Sequence, residues 1–246
     1  MISHKHKFIY IHINHCAGTS IESALANFGH RRPLEVDEIT RKDIFDDELP
    51  LAATQHLTAL ELKKFYGDKI WAEYFTFAFV ANPFDRMITA FLQRGVPIFG
   101  HKNLLEFFEG PYCNVNDPIS KSDYSDRAYK ASRVRRMVSS SYSWLSDESG
   151  KLIDLDFIGR KESLAEDFQK VLGIIGIDAK LPFENRTVGK KHYSTYYDER
   201  TIKWVEERMR EDINFFDYSF EEKHNLNAAK TSRKKALWNI FCGKNR

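Results

Sequence analysis

Apolar and polar positions along the chain fall into two alternating kinds of segment. Residues 7–13 (KFIYIHI), 74–80 (YFTFAFV) and 152–160 (LIDLDFIGR) are short runs rich in β-branched and aromatic residues, which predicts strands. Each is followed by apolar residues at helical spacing: Ile21, Ala24, Leu25 and Phe28; then Met87, Ile88, Phe91 and Leu92; then Leu164, Phe168, Val171, Leu172 and Ile175. The pattern predicts an α/β fold, with a central, mainly parallel sheet flanked by helices.

The segments between these units are less regular. Residues 58–72 have helical spacing, and residues 95–125 are rich in Gly, Pro, Asn, Asp and Ser, which predicts an irregular loop. A helix is expected around 126–140. A last long helix is predicted from one apolar face, formed by Ile202, Val205, Met209, Ile213 and Phe216.

Length and composition favour one folded unit. The 246 residues, 42% of them hydrophobic, suffice to bury the core of one α/β domain, which we assign to residues 1–226. No apolar run of about 18 residues and no separate hydrophobic leader is visible, so a soluble, cytoplasmic protein is expected. The three cysteines are odd in number and lack ligand spacing, which predicts neither a disulfide framework nor a metal site.

The C-terminal tail, residues 227–246, differs from the body in charge. It holds six Lys and Arg residues and no acid, whereas the whole chain has a net charge of +2. Apolar residues between positions 237 and 241 would let it form a short basic amphipathic helix that touches a membrane surface or a partner. The alternative is a solvated terminus folded onto the body. No basic stripe interleaved with aromatics occurs in the body, so nucleic acid is not expected.

The turn after the first strand, residues 14–20 (NHCAGTS), has the composition of an anion site. Gly18 permits a tight turn, and Thr19 or Ser20 can cap the helix that follows. A strand, a small-residue turn and a helix N-terminus direct N–H groups and the helix dipole at one point, which favours phosphate or sulfate. An ordinary capped turn would have the same composition. The loop of ATP- and GTP-binding proteins fits poorly, because no lysine precedes Thr19.

Two motifs carry a family resemblance. HINHCAGTSIE (12–22) follows the first strand, and FAFVANPFDRMITAF (77–91) spans the second strand and its helix. From Lys7 to Tyr218 the chain resembles bacterial members of the carbohydrate sulfotransferase family, which includes the heparan sulfate 2-O-sulfotransferases. Such proteins carry I-H-I-P-K-[ST]-[AG]-G-T-S-[IV] and F-V-R-N-P-[YFW]-D-R-x-x-S-A-[YF]. The later segments DFIGRKESLAEDF and KKHYSTYYDERT are also similar to theirs.

The resemblance implies a P-loop-like sulfotransferase fold and a reaction that needs no metal. A sulfuryl group would pass from PAPS (3′-phosphoadenosine 5′-phosphosulfate) to a hydroxyl of a carbohydrate or glycoconjugate. The first motif would contact the 5′-phosphosulfate and the second the 3′-phosphate, with a late basic loop closing over the donor. The implied donor site is His15, Cys16, Ala17, Gly18, Thr19, Ser20, Ala81, Thr89, Arg186 and Lys190.

Two positions depart from the family pattern in charge. His15 stands where the family has lysine and Ala81 where it has arginine, while Thr89 keeps the hydroxyl of the family's serine. Each charge-assisted hydrogen bond lost is worth about 1.5–3 kcal/mol. His15 would be a partial cation when protonated and a hydrogen-bond donor when neutral. Further basic candidates are Arg86, Arg186, Lys190 and Lys191.

Sulfuryl transfer to a hydroxyl also needs a base that accepts the hydroxyl proton. The resemblance points to His56, in TQHLTALEL before the second strand, as the catalytic base, with His15 as the second catalytic residue. His192, beside the late basic loop, is the weaker alternative. No chemical role is predicted for His4, His6 and His12.

Two other functions stay open at this point. The loss of two cations, at His15 and Ala81, fits a non-catalytic descendant that binds a nucleotide, a glycan or a protein partner. A nucleotide-dependent kinase is disfavoured, because the sequence has no Walker-type lysine and no clear magnesium-binding aspartate. Asp85, at a helix start, is predicted to be a helix-terminal acid.

Overall fold

A four-stranded sheet forms the centre of the molecule. The structure, a computed structural model, describes residues 1–30, 56–110, 113, 138–182, 187 and 189–221. Its strands are β1 (Ile2–Ser3), β2 (Phe8–Ile11), β3 (Phe75–Val80) and β4 (Phe157–Arg160). They lie in the order β1-β2-β3-β4, with β2, β3 and β4 parallel and β1 antiparallel at the edge. The predicted mainly parallel sheet is confirmed.

The strand register aligns the loops that leave the sheet. Phe8 is the partner of Phe75, Phe77 that of Phe157, and Val80 that of Arg160. Because parallel strands end at the same edge, the loops after β2, β3 and β4 lie side by side. The carboxyl ends of the strands are where ligands bind in open α/β sheets.

Helices follow β2, β3 and β4 directly or after a short turn, as predicted. In the part of the chain that the structure describes, they are α1 (Gly18–Ala24), α2 (Ala59–Glu73), α3 (Pro83–Ala90), α4 (Val96–Phe99), α5 (Leu104–Glu109), α6 (Ser141–Trp144), α7 (Leu164–Ile175), α8 (Glu199–Arg208) and α9 (Arg210–Phe215). A π-helical segment (Phe91–Gly95) joins α3 to α4, and short 3-10 turns occupy Lys161–Ser163 and Tyr193–Tyr196.

The start of α2 is fixed by a capping box. The Thr58 hydroxyl accepts from the Glu61 amide at 3.2 Å, and the Glu61 carboxylate accepts from the Thr58 amide at 2.6 Å. Caps of this kind stabilise a helix by about 0.5–2 kcal/mol. Just before the cap, Leu57 packs in an apolar cluster of the sheet and Nδ1 of His56 lies 3.3 Å from the His12 carbonyl oxygen.

Apolar side chains cover both faces of the sheet. On one face Ile9 and Ile11 pack with Leu62 and Trp71 of α2. On the other face Tyr10 and Phe77 pack with Phe168 of α7, and Ile21 of α1 belongs to the same cluster. A third cluster joins α3 to α5 and α8. Burial on both faces explains why the strands are continuous apolar runs rather than alternating ones.

Two sequence predictions fail within the described residues. Residues 95–125 were expected to be irregular, but they contain α4 and α5. Helix α5 forms because the Asn103 side chain caps it and Phe107 and Phe108 reach the core. The long C-terminal helix is divided at Met209, whose φ of −110° and ψ of 26° are not helical. Of the helix predicted around 126–140 only residues 138–140 are described, and they are not helical. The boundary at 226 and the tail lie outside the described residues.

Candidate functional site

The loop between β2 and α1 has an unusual backbone. His15 and Ala17 have φ angles of 63° and 66°, the left-handed region that side chains other than glycine disfavour. Each such residue costs on the order of 1–3 kcal/mol. Turns with left-handed residues make concave nests of N–H groups that bind anions. The methyl group of Ala17, the residue that precedes α1, accepts no hydrogen bond, so it does not cap the first amides of α1.

Gly18 is required by the close approach of a histidine ring. A Cβ atom at this position would lie 1.9 Å from Nε2 of His12. His12 follows β2 directly, and its ring covers the start of α1. The glycine in this loop therefore makes room for His12 rather than supplying an unusual φ angle.

His12 and Glu22 form a buried pair under the loop. Nδ1 of His12 lies 2.9 Å from Oε1 of Glu22, and the two side chains are 5% and 1% exposed. No chemical role was predicted for His12, and its contact with Glu22 was therefore not expected. No spacing rule could have found it, because one residue follows a strand and the other lies within a helix.

His56 lies beside this pair. Its ring is 4.4 Å from the His12 ring, centroid to centroid, and its Nδ1 is 3.3 Å from the His12 carbonyl oxygen. A carbonyl oxygen can accept but not donate, so Nδ1 carries the proton and Nε2 is the proton acceptor of the ring. The structure thus brings the predicted base next to the loop, with its Nδ1 directed at a carbonyl oxygen.

The surroundings of His15 disfavour the partial cation that the sequence allows. Burial lowers the pKa of His15 well below its usual range, and the positive charges of Arg86 and Lys161 lower it further. Its Nε2 atom is buried and has no hydrogen-bond partner among the described residues. Hydrogen bonding by the neutral ring is the role that the structure leaves to His15.

Arg86 is not a substitute cation for a ligand. Its side chain is fully buried; Nε donates to the Asn14 carbonyl at 3.0 Å and NH1 to the Ser139 carbonyl at 2.7 Å. NH1 also lies 3.8 Å from the Asp212 carboxylate. Arg86 therefore fixes α3 to the loop after β2 from inside the protein.

A polar cluster stands at the exposed side of α3. The Lys190 ammonium donates to the Asp85 carboxylate at 2.5 Å and to the Thr89 hydroxyl at 2.8 Å, and Lys161 donates to the other Asp85 oxygen at 2.9 Å. Burial alone would raise the pKa of Asp85, but the charges of the two lysines outweigh it and hold that pKa below its usual value. Asp85 is more than a helix-terminal acid, because it bridges two cations.

The family assignment rests on a match along most of the chain. A family model described as the sulfotransferase family matches residues 1–219. The chain belongs to the sulfotransferase family. Comparisons with curated proteins and with solved structures give no match. The match supports sulfuryl transfer in general and does not define the acceptor.

The other residues predicted to bind the sulfuryl donor differ in their surroundings. Ser20 is buried and Thr19 half-buried at the start of α1. Burial raises the pKa of the Cys16 thiol to about 11, so the thiol stays protonated. Ala81, at the end of β3, is fully buried in the apolar cluster. Arg186 lies outside the described residues, and Lys191 is exposed.

The described residues provide neither a metal-binding cluster nor a membrane-spanning helix. Within the described ranges, no group of three or more His, Cys, Asp or Glu side chains is placed to hold a metal ion. None of the helices that the structure describes is long and apolar enough to cross a membrane. The cytoplasmic location stays a prediction.

Proposed function

We propose that this protein transfers the sulfuryl group of PAPS to a hydroxyl of a carbohydrate or glycoconjugate. Three features support the proposal. The chain belongs to the sulfotransferase family, the loop after β2 has the backbone of an anion nest, and His56 stands beside that loop with its Nδ1 at the His12 carbonyl oxygen. The last of these is the observation that carries the catalytic part of the proposal.

PAPS, the sulfuryl donor, would lie across the carboxyl ends of the strands. The amides and hydroxyls of residues 17–20 would hold the 5′-phosphosulfate, with a hydrogen bond from neutral His15. Thr89 and Lys190 would hold the 3′-phosphate by exchanging contacts that they now make within the protein, the Lys190–Thr89 contact at 2.8 Å and the Thr89 contact with the Asp85 carbonyl at 3.0 Å. Hydroxyl and ammonium groups are ordinary phosphate partners, so the residues present fit a donor with two anionic ends.

His56 would act on the acceptor. Nε2 takes the proton of the attacking hydroxyl while that oxygen bonds to sulfur, and the bond from sulfur to the phosphate oxygen breaks. The products are a sulfate ester and adenosine 3′,5′-bisphosphate. The His12 carbonyl would stabilise the imidazolium that forms, because its hydrogen bond with Nδ1–H strengthens as the ring becomes positive. General base catalysis of this kind contributes about 10²–10⁴-fold in rate.

The test is a turnover assay with a panel of saccharides, in which release of adenosine 3′,5′-bisphosphate from PAPS is followed. Release that requires a saccharide hydroxyl is expected. His56→Gln should reduce turnover by about 10²–10⁴-fold and leave nucleotide affinity within about twofold, since the base acts on the acceptor. Nucleotide binding without turnover on any saccharide would instead favour a non-catalytic binding protein.

His192→Gln is the matched variant, because it makes the same substitution at the alternative histidine. Nδ1 of His192 lies 2.8 Å from the Ser194 hydroxyl, within its own 3-10 turn. Turnover by this variant should equal that of the parent protein. If His192→Gln abolishes turnover and His56→Gln does not, the base has been assigned to the wrong residue.

A further inference from the structure

Ala81, which stands where the family has arginine, leaves the sheet beside the residue that follows β4. Val80 and Arg160 are partners in the last register position shared by β3 and β4. The residues that follow them, Ala81 and Lys161, therefore leave the sheet side by side. The chains stay together beyond this point, since the Asn82 amide donates to the Glu162 carboxylate at 2.6 Å.

Ala81 has no room for the arginine of the family pattern. It is 0% exposed, and it lies in the apolar cluster that covers one face of the sheet. A long cationic side chain at this position would displace that cluster. A cation for this end of the site must therefore come from a neighbouring strand or loop.

Lys161 reaches the polar cluster on α3 and keeps donors for a ligand. Its side chain is 28% exposed, and its ammonium donates to Asp85 at 2.9 Å. An ammonium group has three N–H donors. Among the residues that the structure describes, Asp85 is the acceptor for one of them, which leaves two for an incoming anion.

Lys190, unlike Lys161, has an acceptor for each of its three N–H donors. It donates to the Asp85 carboxylate at 2.5 Å, to the Asp85 carbonyl at 3.2 Å and to Thr89 at 2.8 Å. Two ammonium groups thus share one carboxylate, and the cluster has a net positive charge. The nearby Glu162 carboxylate accepts from the Asn82 amide and the Tyr218 hydroxyl.

We infer that Lys161 supplies the cation that Ala81 lacks, and that it binds the 3′-phosphate of the donor together with Lys190 and Thr89. The inference rests on the proposed function and assigns a specificity-determining residue within it. The cation would then come from the turn after β4 instead of the segment after β3, while the anion that it binds is the same. Lys161 would then make the protein prefer nucleotides that carry a 3′-phosphate.

The test compares two nucleotides that differ in this one group. Calorimetric titration measures the affinity of the parent and each variant for adenosine 3′,5′-bisphosphate and for adenosine 5′-monophosphate. The parent should bind the bisphosphate at least about tenfold more tightly. Lys161→Met should weaken bisphosphate binding by about 10–100-fold and change monophosphate binding by less than about twofold. Lys161→Arg should restore bisphosphate binding to within about threefold of the parent.

Lys203→Met is the matched control. Lys203 is 75% exposed on α8 and pairs with Glu207 at 3.8 Å. The Lys203→Met variant should bind both nucleotides with the affinities of the parent protein. Thermal unfolding of each variant checks that it is folded, and Lys161→Gln replaces the methionine variant if that one is unstable.

The possible failures are distinguishable. If the parent binds neither nucleotide, the proposed donor is wrong and this inference falls with it. If the parent binds both nucleotides equally, the donor site stands and the 3′-phosphate assignment is overturned. If Lys161→Met weakens both nucleotides alike, Lys161 acts at the 5′ end, and if it weakens neither, Lys161 is not a ligand. Either result overturns the inference alone.

Discussion

Substitution of Gly18 by alanine tests the packing on which the candidate site is built. An added Cβ would lie 1.9 Å from Nε2 and 2.1 Å from Cδ2 of His12. Non-bonded carbon contacts lie at about 3.5–4.0 Å, so the ring must move by at least about 1.5 Å. The ring has no space for this movement, because it is 5% exposed and its Nδ1 pairs with Glu22 at 2.9 Å.

The expected cost follows from these contacts. Overpacking a buried position costs about 1–3 kcal/mol and separating a buried polar group from its partner about 1–3 kcal/mol more, while the better helix propensity of alanine returns about 0.5–1 kcal/mol. We expect Gly18→Ala to lower the free energy of unfolding by about 2–4 kcal/mol. For a protein of this size that corresponds to a fall in Tm of about 5–15 °C.

The assay is urea denaturation, and the same substitution at a second glycine, Gly173, is the matched control. Gly173, exposed in the last turn of α7, has nothing within 4 Å of an added Cβ. Gly173→Ala should therefore stabilise the protein by about 0.5–1 kcal/mol. In a His12→Ala background, which removes the ring, the cost of Gly18→Ala should fall to within about 0.5 kcal/mol of zero. Equal stability of Gly18→Ala and the parent would refute the close packing of His12 on the loop.

Three further predictions concern His15, Ala81 and the tail. Because the folded pKa of His15 lies well below the unfolded value of 6.5, the stability from its neutral ring is complete above pH 6.5 and is lost as the pH falls toward the folded pKa. In plots of urea-derived stability against pH, His15→Gln should reduce the slope by up to about 1.4 kcal/mol per pH unit, from about one unit below pH 6.5. Parallel curves would show that His15 does not titrate differently in the two states. Ala81→Arg should lower the free energy of unfolding by about 1–3 kcal/mol, because it overpacks a fully buried position; unchanged stability would mean that the side chain reaches solvent. Deletion of residues 228–246 should leave Tm nearly unchanged and reduce binding to anionic vesicles, and a large fall in Tm would mean that the tail packs on the core.

Much of the fold could be predicted from local sequence pattern. Each continuous apolar run became a strand of the sheet, and the helical spacing after it became a helix, because both signals depend on residues close together in the chain. The divided C-terminal helix was missed, since its apolar face continues through Met209 while the backbone does not. Helix α5 was missed because Gly and Pro around it indicated a loop.

The site depends more on contacts between distant residues. The motifs identified the loop at 14–20 and Thr89, but Lys161 and Asp85 are 76 positions apart and no spacing rule joins them. Burial decided two other roles. It makes Arg86 an internal ion-pair partner and lowers the pKa of His15, and neither environment is visible in the sequence.

The central claim is that the edge of the sheet binds the nucleotide of a sulfuryl donor. Calorimetric titration of the unmodified protein with adenosine 3′,5′-bisphosphate, the nucleotide left after transfer, tests it most directly. The account predicts saturable binding of one nucleotide per chain, with a dissociation constant well below about 1 mM. Absence of binding at millimolar concentration would contradict it, and the loop after β2 would then need another ligand.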